Sequence, residues 1–438
     1  MKAIPLTQIE VPDFDLGLRG KLVTPSKVSD GKSAAFCTIV FGLDPAGGVV
    51  DTPLASAEDG YPDAFAVADE STRVSLSWRK STEAVICDLV DDEGNALPES
   101  PRGALARLDA AYAELDLQPV LGFEYECYVM HADDQVLRDK NYSALRPYGR
   151  TIGAYDLSRA AESADLLGEY VDRMESVGIP VEAVHSELGP GFFEYALGPM
   201  PALRACDSAA RSRQFFRDLC AERGLLATFM AKLHIAESGS GGHVHQSVTR
   251  NGVNLMADGQ GGLSDIGRDY LGGLLSTMGD FTALFNPFLN SYKRLGAGFF
   301  VAESASWGWD NRNAACRVVH NAGDSATRIE HRRPGADANP YLVGAGMLAG
   351  GLAGLREHRN PGEALVPGKD PVAGGLPLPR SLREATERLR TSTVAREFLG
   401  DRLIDAYAIT RDAESDAFDR WWATTITEWE LHRLLENL

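Results

Sequence analysis

Closely spaced cysteines are missing from this sequence. Its six cysteines, Cys37, Cys87, Cys127, Cys206, Cys220 and Cys316, contain no CxxC pair, so neither a thiolate zinc site nor a disulfide framework is suggested, and reduced thiols are expected. No apolar run approaches the roughly 18 residues that span a bilayer, and Met1 to Gln8 does not resemble a signal peptide. The expectation is a cytoplasmic protein without a membrane partner. GxxxxGK[ST] is absent, which excludes a P-loop nucleotide site. Basic residues are outnumbered: 43 Lys and Arg against 62 Asp and Glu leave a net charge of −19, which argues against nucleic acid as a partner and favours divalent cations that screen carboxylates. There is no internal repeat and no low-complexity tract.

What remains is an ordinary globular composition, 44% hydrophobic and 24% charged over 438 residues, enough for two domains. Residues 1–100 read as a small strand-rich domain, with β-type runs at Cys37–Gly42 and Ala84–Asp88 separated by turn chemistry. Pro101 opens a helical pattern, and residues 101–438 read as a second, larger α+β domain. There, strands over 120–129, 181–187, 192–195, 225–230, 242–248 and 327–332 alternate with helices over 158–177, 201–223, 265–285 and 339–358. Residues 286–298 read as a loop, 361–379 as a Pro/Gly loop, and 380–397 and 401–436 as amphipathic helices.

Three of these strands and one hairpin bring chemistry together. In Val120–Val129 the period of two puts Glu124 and Glu126 together, opposite Phe123, Tyr125 and Cys127. The hairpin around Gly189-Pro-Gly191 brings Glu187 near Glu194. In Gly239–Ser247 a glycine-rich approach leads into His243, His245 and Ser247 on one face, and Thr327–Arg332 aligns Arg328, Glu330 and Arg332. Each pattern also has a plain structural reading: a solvated glutamate face, an ordinary polar strand, an ion-pair ladder. Taken together, five carboxylates and one imidazole form an oxygen-rich, thiolate-free set suited to two Mg²⁺ or Mn²⁺ ions, and arginines beside them suit phosphoryl transfer from a nucleotide.

Over almost its whole length the chain resembles the glutamine synthetase superfamily. The motifs that carry the resemblance are Gly122-Phe-Glu-Tyr-Glu126, His185-Ser-Glu-Leu-Gly-Pro-Gly-Phe-Phe-Glu194, Thr228-Phe-Met-Ala-Lys232, Gly239–Ser247, Asn290-Ser-Tyr-Lys-Arg294, Asn311-Arg312, Arg328-Ile-Glu-His-Arg332 and Asn339-Pro-Tyr341. The resemblance implies a β-grasp-like N-terminal domain and a catalytic domain built on a curved antiparallel sheet with helices. It also implies a homo-oligomer, a dodecamer of two hexameric rings with active sites between subunits. Glu126, Glu187 and Glu194 match the ligands of one metal, and Glu124, His243 and Glu330 those of the second. Glu182, His245, Ser247, Arg317 and Arg328 match contacts to the co-substrate ATP; Gly239, Arg294 and Arg332 match the glutamate cradle. Arg312 matches the arginine facing the transferring phosphoryl group, the catalytic set being Arg312, Glu126 and Glu194. The implied reaction is phosphorylation of the glutamate γ-carboxylate, followed by attack of a nitrogen nucleophile.

Departures from the family pattern fall on the nucleophile side. The loop Lys293-Arg-Leu-Gly-Ala-Gly-Phe-Phe300 ends in Phe300 where ammonia-using members carry glutamate, Phe192 stands where a glutamine is expected, and Ser238 replaces an asparagine before Gly239. A carboxylate beside the nucleophile binds ammonium and removes its proton; phenylalanine does neither. The reading is therefore a ligase joining glutamate to a primary amine, an apolar alkylamine or arylamine, with Phe192, Phe299, Phe300, Trp307 and Trp309 as an aromatic pocket. Alternatives are a polyamine or ethanolamine substrate, glutamine synthesis proper, or a non-catalytic scaffold. The 361–379 loop has no tyrosine, so regulation by tyrosine adenylylation is not expected.

Overall fold

The computed structural model describes residues 5–28, 34–139, 142–143, 145–149, 153–297, 300–320, 323–368 and 375–435. Two sheets organise them. The N-terminal sheet has six strands, in the order Leu18–Val23, Leu6–Pro12, Thr82–Val90, Asp63–Ala68 and Ala34–Cys37, with Val74–Ser75 added to Thr82–Val90. Leu6–Pro12 and Thr82–Val90 run parallel and the other pairs antiparallel.

The larger, curved sheet is built on Gln118–His131, a 14-residue strand. One edge runs through Phe192–Leu197 to Val181–Ser186. The other runs through Gly242–Arg250, Arg328–His331 and Cys316–Val319 to Trp307–Trp309. All these pairs are antiparallel except the last, where Trp307–Trp309 runs parallel to Cys316–Val319. Phe123, Tyr125, Cys127 and Val129 are buried on one face of the long strand, which leaves Glu124, Glu126 and Tyr128 on the other, as the period of two requires.

Helices cover the apolar face. Pro340–Glu357 is buried over nearly its whole length, and its glycines let Asp265–Thr277 come close. A Cβ on Gly354 would lie 2.1 Å from the Asp269 carbonyl oxygen, so only glycine permits the approach. Buried arginines tie the N-terminal sheet to two further helices, Pro101–Ala113 and Ala202–Glu222. Arg102 reaches Asp69 at 2.7 Å, Asp88 at 2.8 Å and Asp207 at 2.9 Å, and Arg211 reaches Glu10 at 2.8 Å.

Several element boundaries differ from the sequence expectation. The β-type run Cys37–Gly42 leaves the sheet as a 3-10 turn, Thr38–Phe41, because the Thr38 hydroxyl bonds the carbonyls of Leu54 and Pro62 and draws the backbone off the ladder. The expected 286–298 loop contains a helix, Leu289–Ala297. Its Asn and Ser side chains serve as tertiary ties instead of turn formers: Asn290 exchanges two hydrogen bonds with the Lys232 backbone, and Ser291 bonds Asp337. The 265–285 helix breaks before Thr282, near Asp280, whose carboxylate is held by Arg388 and Ser392. The last helix stops at Thr424, and a capping box of Thr427 with Glu430 restarts it.

Candidate active site

Cross-strand register assembles the site. On Gln118–His131, Glu124 lies opposite His243 and Glu126 opposite Glu194. Glu194 in turn faces His185, while His245 faces Glu330 and Glu330 faces Arg317. Charged side chains on five adjacent strands thus line one cavity of about 490 Å³.

Two groups of ligand atoms form within it. Glu124, His243 and Glu330 offer donors within 4.8 Å of one another, as do His185, Glu187 and Glu194. In the first group, His243 Nδ1 lies 2.8 Å from Glu124 and 3.7 Å from Glu330. Glu330 also takes hydrogen bonds from Arg317, at 3.0 Å, and from Arg332. In the second, His185 Nε2 lies 3.2 Å from Glu187 and 3.4 Å from Glu194. Glu126 sits beside both groups, one oxygen held by the Gly241 N–H. Glycine is required at 241, where a Cβ would lie 2.6 Å from His243 Nε2 and 3.1 Å from Glu126 Oε2.

The carboxyl groups respond differently to this crowding. Burial, then repulsion from Glu124, Glu126, Glu187 and Glu330, pushes Glu194 up to about 10. Burial also raises Glu126. Against the upward push of burial, hydrogen bonds from His243 and His245 hold Glu124 well below the usual carboxylate range. Burial pushes Glu330 up as well, but the charges of Arg332, His245 and His243 outweigh it and lower that carboxyl. A cluster that must retain protons when it holds no cation, with oxygen and imidazole donors and no thiolate, fits hard divalent ions.

All six expected metal ligands line the cavity, together with Arg312, Arg317, Gly239, Arg294, Arg332, Phe192 and Phe300. Buried Arg294 donates to the Arg333 carbonyl, and a Cβ on Gly239 would lie 2.6 Å from Arg294 Cγ, so glycine there leaves room for the guanidinium stem. Exposed Arg312 and Phe300 stand on the wall, Phe300 with φ of 60°. Set back from the cavity, Arg328 donates to His245 Nδ1 at 3.1 Å, and His245 Nε2 lies 3.4 Å from Glu124. Ser247 lies farther along the same strand, and Glu182 is exposed on the edge strand. Phe299 falls outside the described residues.

The aromatic pocket needs correcting. Trp307 and Trp309 are not among the residues lining the cavity. Trp307 is a core residue whose indole N–H donates to the Gly362 carbonyl at 3.2 Å, and Trp309 packs edge-on against Trp307 and His320. A buried indole needs a hydrogen-bond acceptor, and the chain beyond Asn360 supplies it. Phe192 is stacked on Tyr128, with centroids 4.2 Å apart and planes 16° from parallel.

The sequence reading missed His185 and Tyr155. His185 carried a signal, since alternation puts it on the same face as Glu187. Tyr155, stacked on His185 at 4.8 Å from a loop position with φ of 55°, carried none.

An antiparallel sheet presenting two carboxylate–imidazole groups, with arginines ranged around them, defines a cation-dependent enzyme class, and the chain belongs to the glutamine synthetase family. The family's glutamine synthetase catalytic domain matches residues 98–434. A type-1 glutamine synthetase of Dictyostelium discoideum is 33% identical over 443 residues, covering 99% of this chain and 84% of that protein. A glutamate–isopropylamine ligase of a Pseudomonas species is 32% identical over 414 residues, 91% of this chain and 87% of that protein. A solved GmaS–ADP complex superposes with a TM-score of 0.83 at 28% identity, covering 99% of this chain and 97% of that one. Among the described residues, no helix is long and apolar enough to cross a membrane.

Proposed function

We propose that this protein is an ATP-dependent ligase that joins the γ-carboxylate of glutamate to an apolar primary amine. The observation that carries the reading is the pairing, in one cavity, of all six expected metal ligands with the apolar side chains Phe192 and Phe300 on the wall where an ammonia site would need a carboxylate. The glutamate–isopropylamine ligase among the relatives supports the acid and amine classes.

In this reading Glu126, Glu187 and Glu194, joined by His185, would hold one divalent ion, and Glu124, His243 and Glu330 would hold another. Mg²⁺ or Mn²⁺ held there would supply positive charge that offsets the charge of the transferring phosphoryl group. Arg294, Arg332 and the Gly239 backbone orient glutamate. Glu182, His245, Ser247, Arg317 and Arg328 contact ATP. A γ-carboxylate oxygen attacks the terminal phosphorus, ADP leaves, and Arg312 balances the equatorial oxygens. The amine nitrogen then attacks the acyl carbon, the C–O bond to phosphate breaks, and the nitrogen gives one proton to the departing phosphate, leaving the amide. Phe192 and Phe300 exclude water from the acyl phosphate, which would otherwise hydrolyse.

The same reading assigns residues 1–100 to the β-grasp-like domain and 101–438 to the catalytic domain. It places the protein in the cytoplasm as a homo-oligomer, a dodecamer of two rings with sites between subunits, an arrangement that light scattering tests directly. The function is tested by phosphate release with glutamate, ATP and Mg²⁺ across a panel of amines. Isopropylamine-like and aryl amines are expected to lead. Ammonia outperforming every organic amine would overturn the reading in favour of glutamine synthesis, and a lead for putrescine or ethanolamine would overturn the apolar pocket.

A further inference from the structure

Tyr128 is buried on the same face of the strand as Glu124 and Glu126, and the proposed reaction gives it no role. Its ring lies directly across the strand pair from Phe192 and stacks on it face to face. Its hydroxyl donates to the carbonyl oxygen of Ser238 at 2.8 Å. Two neighbouring glycines leave room for this arrangement: a Cβ on Gly189 would lie 3.0 Å from the Tyr128 hydroxyl oxygen, and one on Gly191 would lie 2.5 Å from the Val129 carbonyl oxygen.

Ser238 ends a segment, Leu233–Ser238, that crosses the surface between two fixed points. The Lys232 ammonium bonds the Glu237 carbonyl, and the Ser240 N–H bonds Ala231. The next residue, Gly239, already sits as close to Arg294 as a backbone can. A small shift of the Ser238 peptide is therefore passed straight to the contact between Gly239 and Arg294.

We infer that Tyr128 is a positioning residue that couples the two substrate subsites, its ring backing the amine wall at Phe192 and its hydroxyl fixing the peptide that leads into the glutamate cradle at Gly239. The inference rests on the ligase reading above. Phe192 and Ser238 both stand where the family pattern expects other residues, glutamine and asparagine, and the Tyr128 side chain touches both.

Steady-state kinetics with glutamate and amine varied separately test it, alongside calorimetric titration of glutamate. Tyr128→Phe keeps the stacked ring and removes only the hydroxyl. It is expected to raise the glutamate KM and Kd about five-fold, the worth of one hydrogen bond, while the amine KM stays within about two-fold. Tyr128→Leu removes both contacts and is expected to raise both KM values; replacing that Leu by Phe should restore the amine KM alone. Tyr128→Phe kinetics indistinguishable from wild type, or a rise confined to the amine KM, would overturn the inference while leaving the ligase reading intact. A wild-type enzyme that turns over no amine with glutamate would overturn both.

Discussion

The two ligand groups in the cavity are built from the same side chains on the same sheet, yet they are electrostatically unlike. Glu124 and Glu330 are compensated from within the protein: His243 and His245 bond the first, Arg317 and Arg332 the second. Glu187 and Glu194, on the hairpin, share the neutralisable imidazole of His185, and Glu187 also accepts from the Leu188 N–H. Glu124 and Glu330 are accordingly held down, while Glu194 is pushed up to about 10. The difference teaches that one group carries its compensating charges within the protein, whereas in the other burial and neighbouring carboxylates push Glu194 towards its protonated form, a repulsion that a bound cation would offset.

The largest expected effect comes from removing a ligand on either side. Glu124→Ala and Glu194→Ala should each lower kcat by a factor on the order of 10³, the scale on which loss of transition-state charge stabilisation is felt. Each should also cost one of two Mn²⁺ equivalents in calorimetric titration. Retention of both equivalents in either variant would break the division into two sites.

Next comes pH. Between the ordinary carboxyl value of 4.5 and about 10, folded Glu194 keeps a proton that the unfolded chain releases, so its contribution is fully present below about 4.5 and is lost as pH rises towards 10. Glu124 has the opposite sign, stabilising above 4.5 and losing that contribution on acidification. Chelator-treated protein should therefore lose melting temperature between pH 6 and 9, and Glu194→Gln or added Mg²⁺ should flatten the slope. A slope unchanged by both would remove the hairpin group from the comparison.

How much of this was legible in the sequence depends on distance along the chain. Strand alternation is local, so Glu124 with Glu126, His243 with His245 and Arg328 with Glu330 could be paired before any fold was known. His185 was equally local and escaped only because the hairpin was read for carboxylates. The Tyr128–Phe192 stack was not legible, because it depends on register between strands some sixty residues apart in sequence. Trp307 misled for a related reason: aromatic character marks a pocket wall and a core residue alike, and the acceptor at Gly362 that decides between them lies 55 residues on. The Leu289–Ala297 helix was hidden because Asn290 and Ser291 bond distant partners rather than their own turn.

Two smaller effects sharpen the contrast from the amine side. Phe300→Glu adds a further carboxylate to the cavity wall, and the ratio of ammonia to alkylamine turnover should rise about ten-fold as a cation subsite appears. No change in the amine panel would take Phe300 out of the nucleophile site. Trp307→Phe, away from the cavity, should leave the amine KM within about two-fold while lowering stability by about 1–3 kcal/mol in thermal unfolding. A changed amine preference in that variant would return Trp307 to the pocket.

The strand Gln118–His131 acts as a ruler. Glu124 and Tyr128 are four residues apart on it, which at the rise of an extended chain spaces them by about 13 Å. No side-chain substitution lengthens that spacing, and inserting one residue would turn every following side chain to the opposite face. On the proposed reading, variants that accept longer or bulkier amines are therefore expected in the cavity lining away from this strand, at Ser238 and Phe300, and not through any change in spacing along it.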